Sequence, residues 1–126
     1  MRGAAFAEFW RERHLCTLTT VRADGTPHVV PVGVILDIAE GVARVITDGD
    51  SAKARQVRAA GKVNAAACQV DGRRWSTVEG VATLNEDPQA IAEAVRRYAE
   101  RYRQPRVNPN RVLLEIAVTN VLGNVS

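Results

Sequence analysis

From Ser51 the chain reads SAKARQVRAAGKVNAAACQ, and this stretch carries the first residues whose types and spacing suggest chemistry. Ser51 stands where a helix begins. Lys53 and Arg55 fall in its first turns, Arg58 and Lys62 follow, and no acidic residue occurs from Ser51 to Val70. A serine N-cap is ordinary. Cations at that end are not, because a helix N-terminus carries partial positive charge and favours anions. A bound phosphate or carboxylate would reverse the sign of the conflict, with backbone N–H groups, a hydroxyl and cations converging on it. The alternative is an exposed helix whose cations face water. The spacing alone admits both.

Other chemistries find little support. His14 and His28 are the only histidines, and neither stands in a Ser-His-Asp or Cys-His setting. No second carboxylate accompanies Glu79 in the manner of a glycosidase pair. GxxxxGK[ST] and GxGxxG are absent, and no Cys/His spacing suggests zinc, so no metal is expected. Cys16 and Cys68 read as core thiols. Chemistry then falls to a cofactor, or the chain is a binding scaffold. In the first case the segment from residue 51 holds an anionic tail. Pro31 and Gly33, irregular within a strand-like run, let a flat ring approach the backbone. Trp75 flanks that ring, or is a plain core or dimer contact.

The elements that must position these residues are legible. Residues 4–13 read as an amphipathic helix with Phe6, Phe9 and Trp10 on one face. Residues 15–22, 27–37, 42–48, 62–70, 73–84 and 111–122 read as strands, rich in β-branched residues. Asp24-Gly25 and Asp71-Gly72 mark hairpin turns. Pro31 and Gly33 imply a bulge, an edge or a place where another molecule approaches the backbone, and Gly80 a bulge. Residues 51–60 form a helix closed by Gly61 at C′. Asp87-Pro88 opens another over 88–102, and 103–110 is a proline-rich connection. The expected class is mainly β (α+β): a six-stranded antiparallel split β-barrel with short packing helices, one domain over residues 1–126.

Composition sets the bounds. With 126 residues, 46% hydrophobic and 25% charged, the chain suits one ordinary globular domain. The net charge of +3 fits an anionic small molecule. No basic stripe interleaved with aromatics points to nucleic acid. No apolar run reaches the ~18 residues of a membrane helix, so the expected location is the cytoplasm.

The segments LTTVRADGTPHVVPVGV, ARVIT, SAKAR, QVDGRRWSTVEG and RYAERYRQPRVNP, in this order and spacing, resemble the split β-barrel family of pyridoxamine-5′-phosphate-oxidase-like oxidoreductases. They look most like the branch that uses the deazaflavin coenzyme F420 instead of FMN. The resemblance implies a homodimer with two cofactor grooves at its interface. It implies that Ser51, Lys53 and Arg55 hold the cofactor's phosphate and acidic tail. Val30, Pro31, Val32 and Gly33 would lie along the deazaflavin ring, with Thr47 a ring or ribityl contact. Arg73 and Trp75 would reach the groove from the partner subunit. Many relatives carry Asn directly after KAR, where this chain has the longer Gln56. The implied reaction is hydride transfer from reduced F420 to a conjugated substrate such as the tetrapyrrole biliverdin. No residue is assigned a catalytic role. An arginine beside the substrate would offset its charge, with Arg22, Arg74, Arg103, Arg106 and Arg111 as candidates. The alternatives are an FMN oxidoreductase of the same fold and a non-catalytic F420 or pigment carrier.

Overall fold

A computed structural model describes residues 1–126. Seven strands form one sheet: β1 (Cys16–Val21), β2 (Pro27–Val32), β3 (Ile35–Asp37), β4 (Val42–Asp48), β5 (Val63–Asp71), β6 (Arg74–Asn85) and β7 (Arg111–Gly123). Three helices accompany them: α1 (Ala4–Phe9), α2 (Ala52–Ala60) and α3 (Pro88–Arg101). Every strand pairing is antiparallel, in the order β2-β1-β5-β6-β7-β4-β3. The two edge strands, β2 and β3, are consecutive in the chain and separated only by Gly33 and Val34. The sheet therefore curls until its edges are neighbours, yet no ladder joins them. The barrel is split there.

The expected strand over 27–37 is thus two strands, which raises the count from six to seven. The cause is local to Val34. Its N–H donates to the Tyr102 hydroxyl at 3.0 Å, and its carbonyl accepts from Arg101 Nη1 at 2.5 Å. Both backbone groups are taken by side chains at the end of α3, so Val34 has none left for a ladder. Pro31 sits on the edge strand β2, where its missing N–H costs no ladder bond on the open side.

The first helix is also shorter than its amphipathic pattern suggests, ending at Phe9 instead of residue 13. Gln69 Nε2 donates to the Phe9 carbonyl at 2.8 Å and occupies the acceptor that a continuing helix would use. Phe6, Phe9 and Trp10 nevertheless share the buried face, at 0%, 0% and 3% exposure. They pack against Leu18, Val45, Val78 and Ile116 inside the barrel. Burying side chains of this size stabilises by about 1.5–3 kcal/mol each.

Gly80 marks the expected irregularity. Between Glu79 and Gly80 the β6–β7 register slips by one, and a Cβ on Gly80 would fall 1.9 Å from the Ala117 carbonyl oxygen. Only glycine lets the two strands approach so closely. The last turn of the chain covers the barrel floor: Phe6 N donates to Ser126 O, and Val125 is buried.

Candidate functional site

The split in the barrel is also a groove. β3 pairs with β4 only as far as Ile35↔Arg44, so β4 from Val45 to Asp48 has no neighbour on that side. The exposed edge of β2 lies across the gap. A cleft of about 360 Å³ fills the space, walled by Pro31, Val32 and Gly33, by Ile46, Thr47 and Asp48, and by Lys53 of α2. Leu15, Tyr98, Pro105, Asn108 and Arg111 complete it.

Helix α2 begins as its sequence suggests. Ser51 Oγ accepts from Ala54 N at 3.2 Å and makes a 3.0 Å hydrogen bond with Thr47 Oγ1. This ties the helix start to the end of β4. Lys53 lies on the groove wall, half-buried, with no hydrogen bond or ion pair to any protein group. Burial lowers its pKa from the ordinary lysine range, because desolvation disfavours the ammonium. An unpaired, partly desolvated cation facing a cleft is what an incoming anion would neutralise.

Arg55 does not join it. Two residues apart on a helix point to different sides, and Arg55 is exposed away from the cleft. The second cation of the groove is instead Arg111, at the start of β7, whose Nη2 donates to the Arg106 carbonyl at 2.7 Å. Asn108 stands beside it, and its Nδ2 donates to Asp48 Oδ1 at 3.1 Å. Gly49 N donates to the Asn110 carbonyl at 2.7 Å, pinning the 105–110 connection to the β4–α2 turn. The sequence signal for this wall was the Asn-Pro-Asn run after Pro105, polar turn residues that bond local backbone and side chains.

The strand 30–33 divides by face. Val30 and Val32 stand opposite Leu18 and Cys16 and pack against the core. Val32 also reaches the groove, as do Pro31 and Gly33, while Val30 does not line it. Gly33 has a reason internal to the chain: a Cβ there would lie 2.6 Å from Tyr98 Cε2 and 2.9 Å from Tyr102 Cε2. The backbone at this glycine is approached by Tyr98 of α3 and by Tyr102 just beyond it, two tilted rings with centroids 4.8 Å apart, and not by another molecule. Tyr102 is fixed by its bonds to Val34 N and the His14 carbonyl, and burial pushes its phenol up to about 12.

Arg73 and Trp75 lie elsewhere in the same chain. They belong to the β5–β6 hairpin, and Trp75 pairs with Val70. From Gly33 across β1 and β5 to Trp75 is three strand spacings, about 14 Å. Within one chain the fold brings together Pro31, Val32, Gly33, Thr47 and Lys53, with Ser51 behind Thr47, and leaves Arg55, Arg73 and Trp75 outside.

Gln56 turns away from the cleft. Its Oε1 accepts from Thr20 Oγ1 at 2.8 Å, while its buried amide nitrogen has no partner. His28 opposes Thr20 on β2, and its Nδ1 is likewise buried without one. His14 bonds Glu12 Oε1 at 2.9 Å, beside Asp71. Arg74 already bridges Glu12 and Asp71, and its hydrogen bonds hold Glu12 down to about 2.

The site fits a flat molecule with an anionic extension. The groove offers free strand edges and apolar side chains along part of its length, and an unpaired ammonium with polar donors at another part. Coenzyme F420 has that shape and charge, and so does FMN. A family model described as pyridoxamine 5′-phosphate oxidase matches residues 3–124. The F420H2-dependent biliverdin reductase of Mycobacterium tuberculosis is 50% identical over 116 residues, 92% of this chain and 83% of that protein. Among solved structures, one described as an F420 reductase has a TM-score of 0.74 at 22% identity, covering 96% of this chain and 98% of its own. A conserved hypothetical protein of Mycobacterium tuberculosis has a TM-score of 0.78 at 25% identity, covering 99% and 85%.

Proposed function

The chain belongs to the pyridoxamine 5′-phosphate oxidase family, and from that premise we propose that it is an F420H2-dependent reductase that converts biliverdin to bilirubin. One observation carries the cofactor assignment from this chain's side: Lys53, half-buried and unpaired, on the wall of the split-barrel groove. The half-identical relative, itself an F420H2-dependent biliverdin reductase, supports F420 over FMN.

Lys53 would bind the coenzyme's phosphate, with Ser51 and Thr47 fixing the helix start behind it and Asn108 and Arg111 facing the same space. Pro31, Val32 and Gly33 would bound the ring, and the backbone edge at Val30 would extend that wall. Bound reduced F420 supplies a hydride. The protein's own contribution is orientation: two flat molecules held face to face, with water excluded by Leu15, Ile46 and Tyr98. The hydride step itself needs no acid–base pair, and the proton that completes the reduction to bilirubin is taken from solvent.

Arg73 and Trp75 enter this picture through a second copy of the chain, while Arg55 stays on the same α2 as Lys53. Leu15, Val29, Val70 and Trp75 are 68%, 55%, 62% and 38% exposed, and all belong to the β2-β1-β5-β6 side of the barrel. An apolar surface of this kind favours burial against another protein. In a homodimer built on it, Arg73 and Trp75 would approach the partner's groove. Arg55 would reach the exposed tail of the coenzyme held by its own chain. No helix is long and apolar enough to cross a membrane. Our proposal includes a cytoplasmic location, where Cys16 and Cys68 stay as free thiols.

Fluorescence titration with F420 and with FMN tests the cofactor. Oxidation of F420H2 on addition of biliverdin, followed by its visible absorption, tests the reaction. Stoichiometric FMN in the purified protein would overturn the first assignment. F420 binding without turnover would leave a carrier. A monomer in analytical ultracentrifugation would remove the role of the second copy.

A further inference from the structure

A second hollow of about 440 Å³ opens beside the groove, lined by Arg13, Leu15, Tyr98, Tyr102 and Arg103. Leu15 and Tyr98 belong to both cavities, so the two are continuous at those side chains. Lys53 and Arg111 line only the groove, and Arg13 and Arg103 line only this annex. We propose that the annex seats the carboxylates of the substrate, and that Arg13 and Arg103 set a preference for a conjugated molecule bearing acidic side chains.

Charge supports this assignment. Six arginines of the chain are neutralised by carboxylates, while Arg55, Arg73 and Arg106, which line neither cavity, are unpaired like Arg13 and Arg103. Arg96 bonds Glu93 and Glu100, Arg97 bonds Glu93 and Asp37, and Arg74 bonds Glu12 and Asp71. Arg13 and Arg103 have no ion pair or hydrogen bond, and the annex contains no acidic residue. Two guanidinium groups facing one cavity without a counter-charge repel each other until an anion arrives. Guanidinium binds carboxylate in a planar, bidentate fashion that an ammonium does not match.

Shape supports it too. The rings of Tyr98 and Tyr102, tilted against each other with centroids 4.8 Å apart, form part of the annex wall. Tyr102 cannot swing aside without losing its bonds to Val34 N and the His14 carbonyl. An aromatic wall beside two arginines suits a flat conjugated body whose acidic arms extend past its rim. Tyr98, common to both spaces, would mark where the substrate leaves the coenzyme and enters the annex.

This inference rests on the reductase assignment, and its test is read without turnover. Biliverdin and its dimethyl ester are titrated into the protein saturated with oxidised F420, followed by the tetrapyrrole's own absorption. The native protein should bind the diacid about ten-fold or more tightly than the ester. In an R13Q/R103Q double variant that ratio should fall towards one, with F420 affinity unchanged. Both side chains are exposed, so the variant should fold. The proposal is overturned if the native protein does not distinguish acid from ester, or if the preference survives in the variant. It is equally overturned if the variant loses F420 affinity instead, which would give these arginines to the coenzyme's tail. Failure of the cofactor assignment would appear separately, as absence of F420 binding by the native protein.

Discussion

Arg101 Nη1 donates to the main-chain carbonyl of Val34 at 2.5 Å, and this bond is made by a guanidinium with no carboxylate partner. Its other donors go to the Glu12 carbonyl at 2.9 Å and to Gln69 Oε1 at 2.6 Å. Burial lowers the Arg101 pKa, yet neutral acceptors and the rings of Trp10 and Tyr102 hold the charge in place. One side chain thereby ties α3 to α1's exit, to β5 and to the split. Arg101→Leu should cost about 3 kcal/mol or more, since hydrogen bonds to charged groups contribute roughly 1.5–3 kcal/mol each and their acceptors would stay buried. Urea denaturation checks this; a midpoint within error of the native one would show that the network is dispensable.

Gly33→Ala sets a methyl against Tyr98 and Tyr102 at 2.6 and 2.9 Å. Overpacking of this kind costs about 1–3 kcal/mol. Tyr98 has room to move into the groove and Tyr102 does not. A double-mutant cycle with Tyr98→Ala should therefore recover only part of the loss. Full recovery would mean that Tyr102 yields as easily as Tyr98.

Lys53→Ala should weaken F420 binding by about 1.5–3 kcal/mol, the range of a charge-assisted contact. The same variant should leave the stability of the cofactor-free protein unchanged or slightly raised, because the native ammonium is partly desolvated and unpaired. The pH dependence has a definite sign. The folded protein releases the Lys53 proton more readily than the unfolded chain, so native stability gains as pH rises towards 10.5. The variant should lack that gain. Unaltered F420 affinity in the titration would remove Lys53 from the site.

The Glu12–Arg74 pair gives an acid-side prediction. Glu12 is held from 4.5 down to about 2, chiefly by its hydrogen bonds from Arg74 and His14. Its contribution to stability is complete above 4.5 and fades as pH falls towards 2. In Arg74→Gln that part of the acid-denaturation curve should flatten. The effect should also shrink with added salt, since the pair is exposed to solvent. An identical acid limb in the variant would refute it.

The β-strands, the turns and two helix starts were legible because each is coded by adjacent residues: Asp-Gly at hairpins, Ser51 and Asp87 as caps, alternation along β1 and β4. The groove was legible in part. Lys53 stood out because its charge opposes the helix end that carries it. Arg55 was drawn in by the same argument, although helical geometry turns it to another side. What adjacency could not reveal was anything decided by distant pairs. The break at Val34 depends on Arg101 and Tyr102, more than sixty residues away in sequence. The end of α1 depends on Gln69, and the groove's second polar wall on Asn108 meeting Asp48. Such contacts leave no local pattern to read.

The two-residue link between β2 and β3 also bears on how the molecule assembles. β2 and β3 lie at opposite ends of the strand order, so the barrel around that link takes shape only once β1, β5, β6, β7 and β4 have paired in turn. The hairpins β1–β2 and β5–β6 can form early, while the β4–β7 ladder must wait for residues about seventy positions apart to find each other. Ordering around the split is then a late event, and the amides flanking it should exchange with deuterium sooner than those of β5 and β6. A ligand seated across that gap would tie together edges that no ladder joins, and would slow exchange there first.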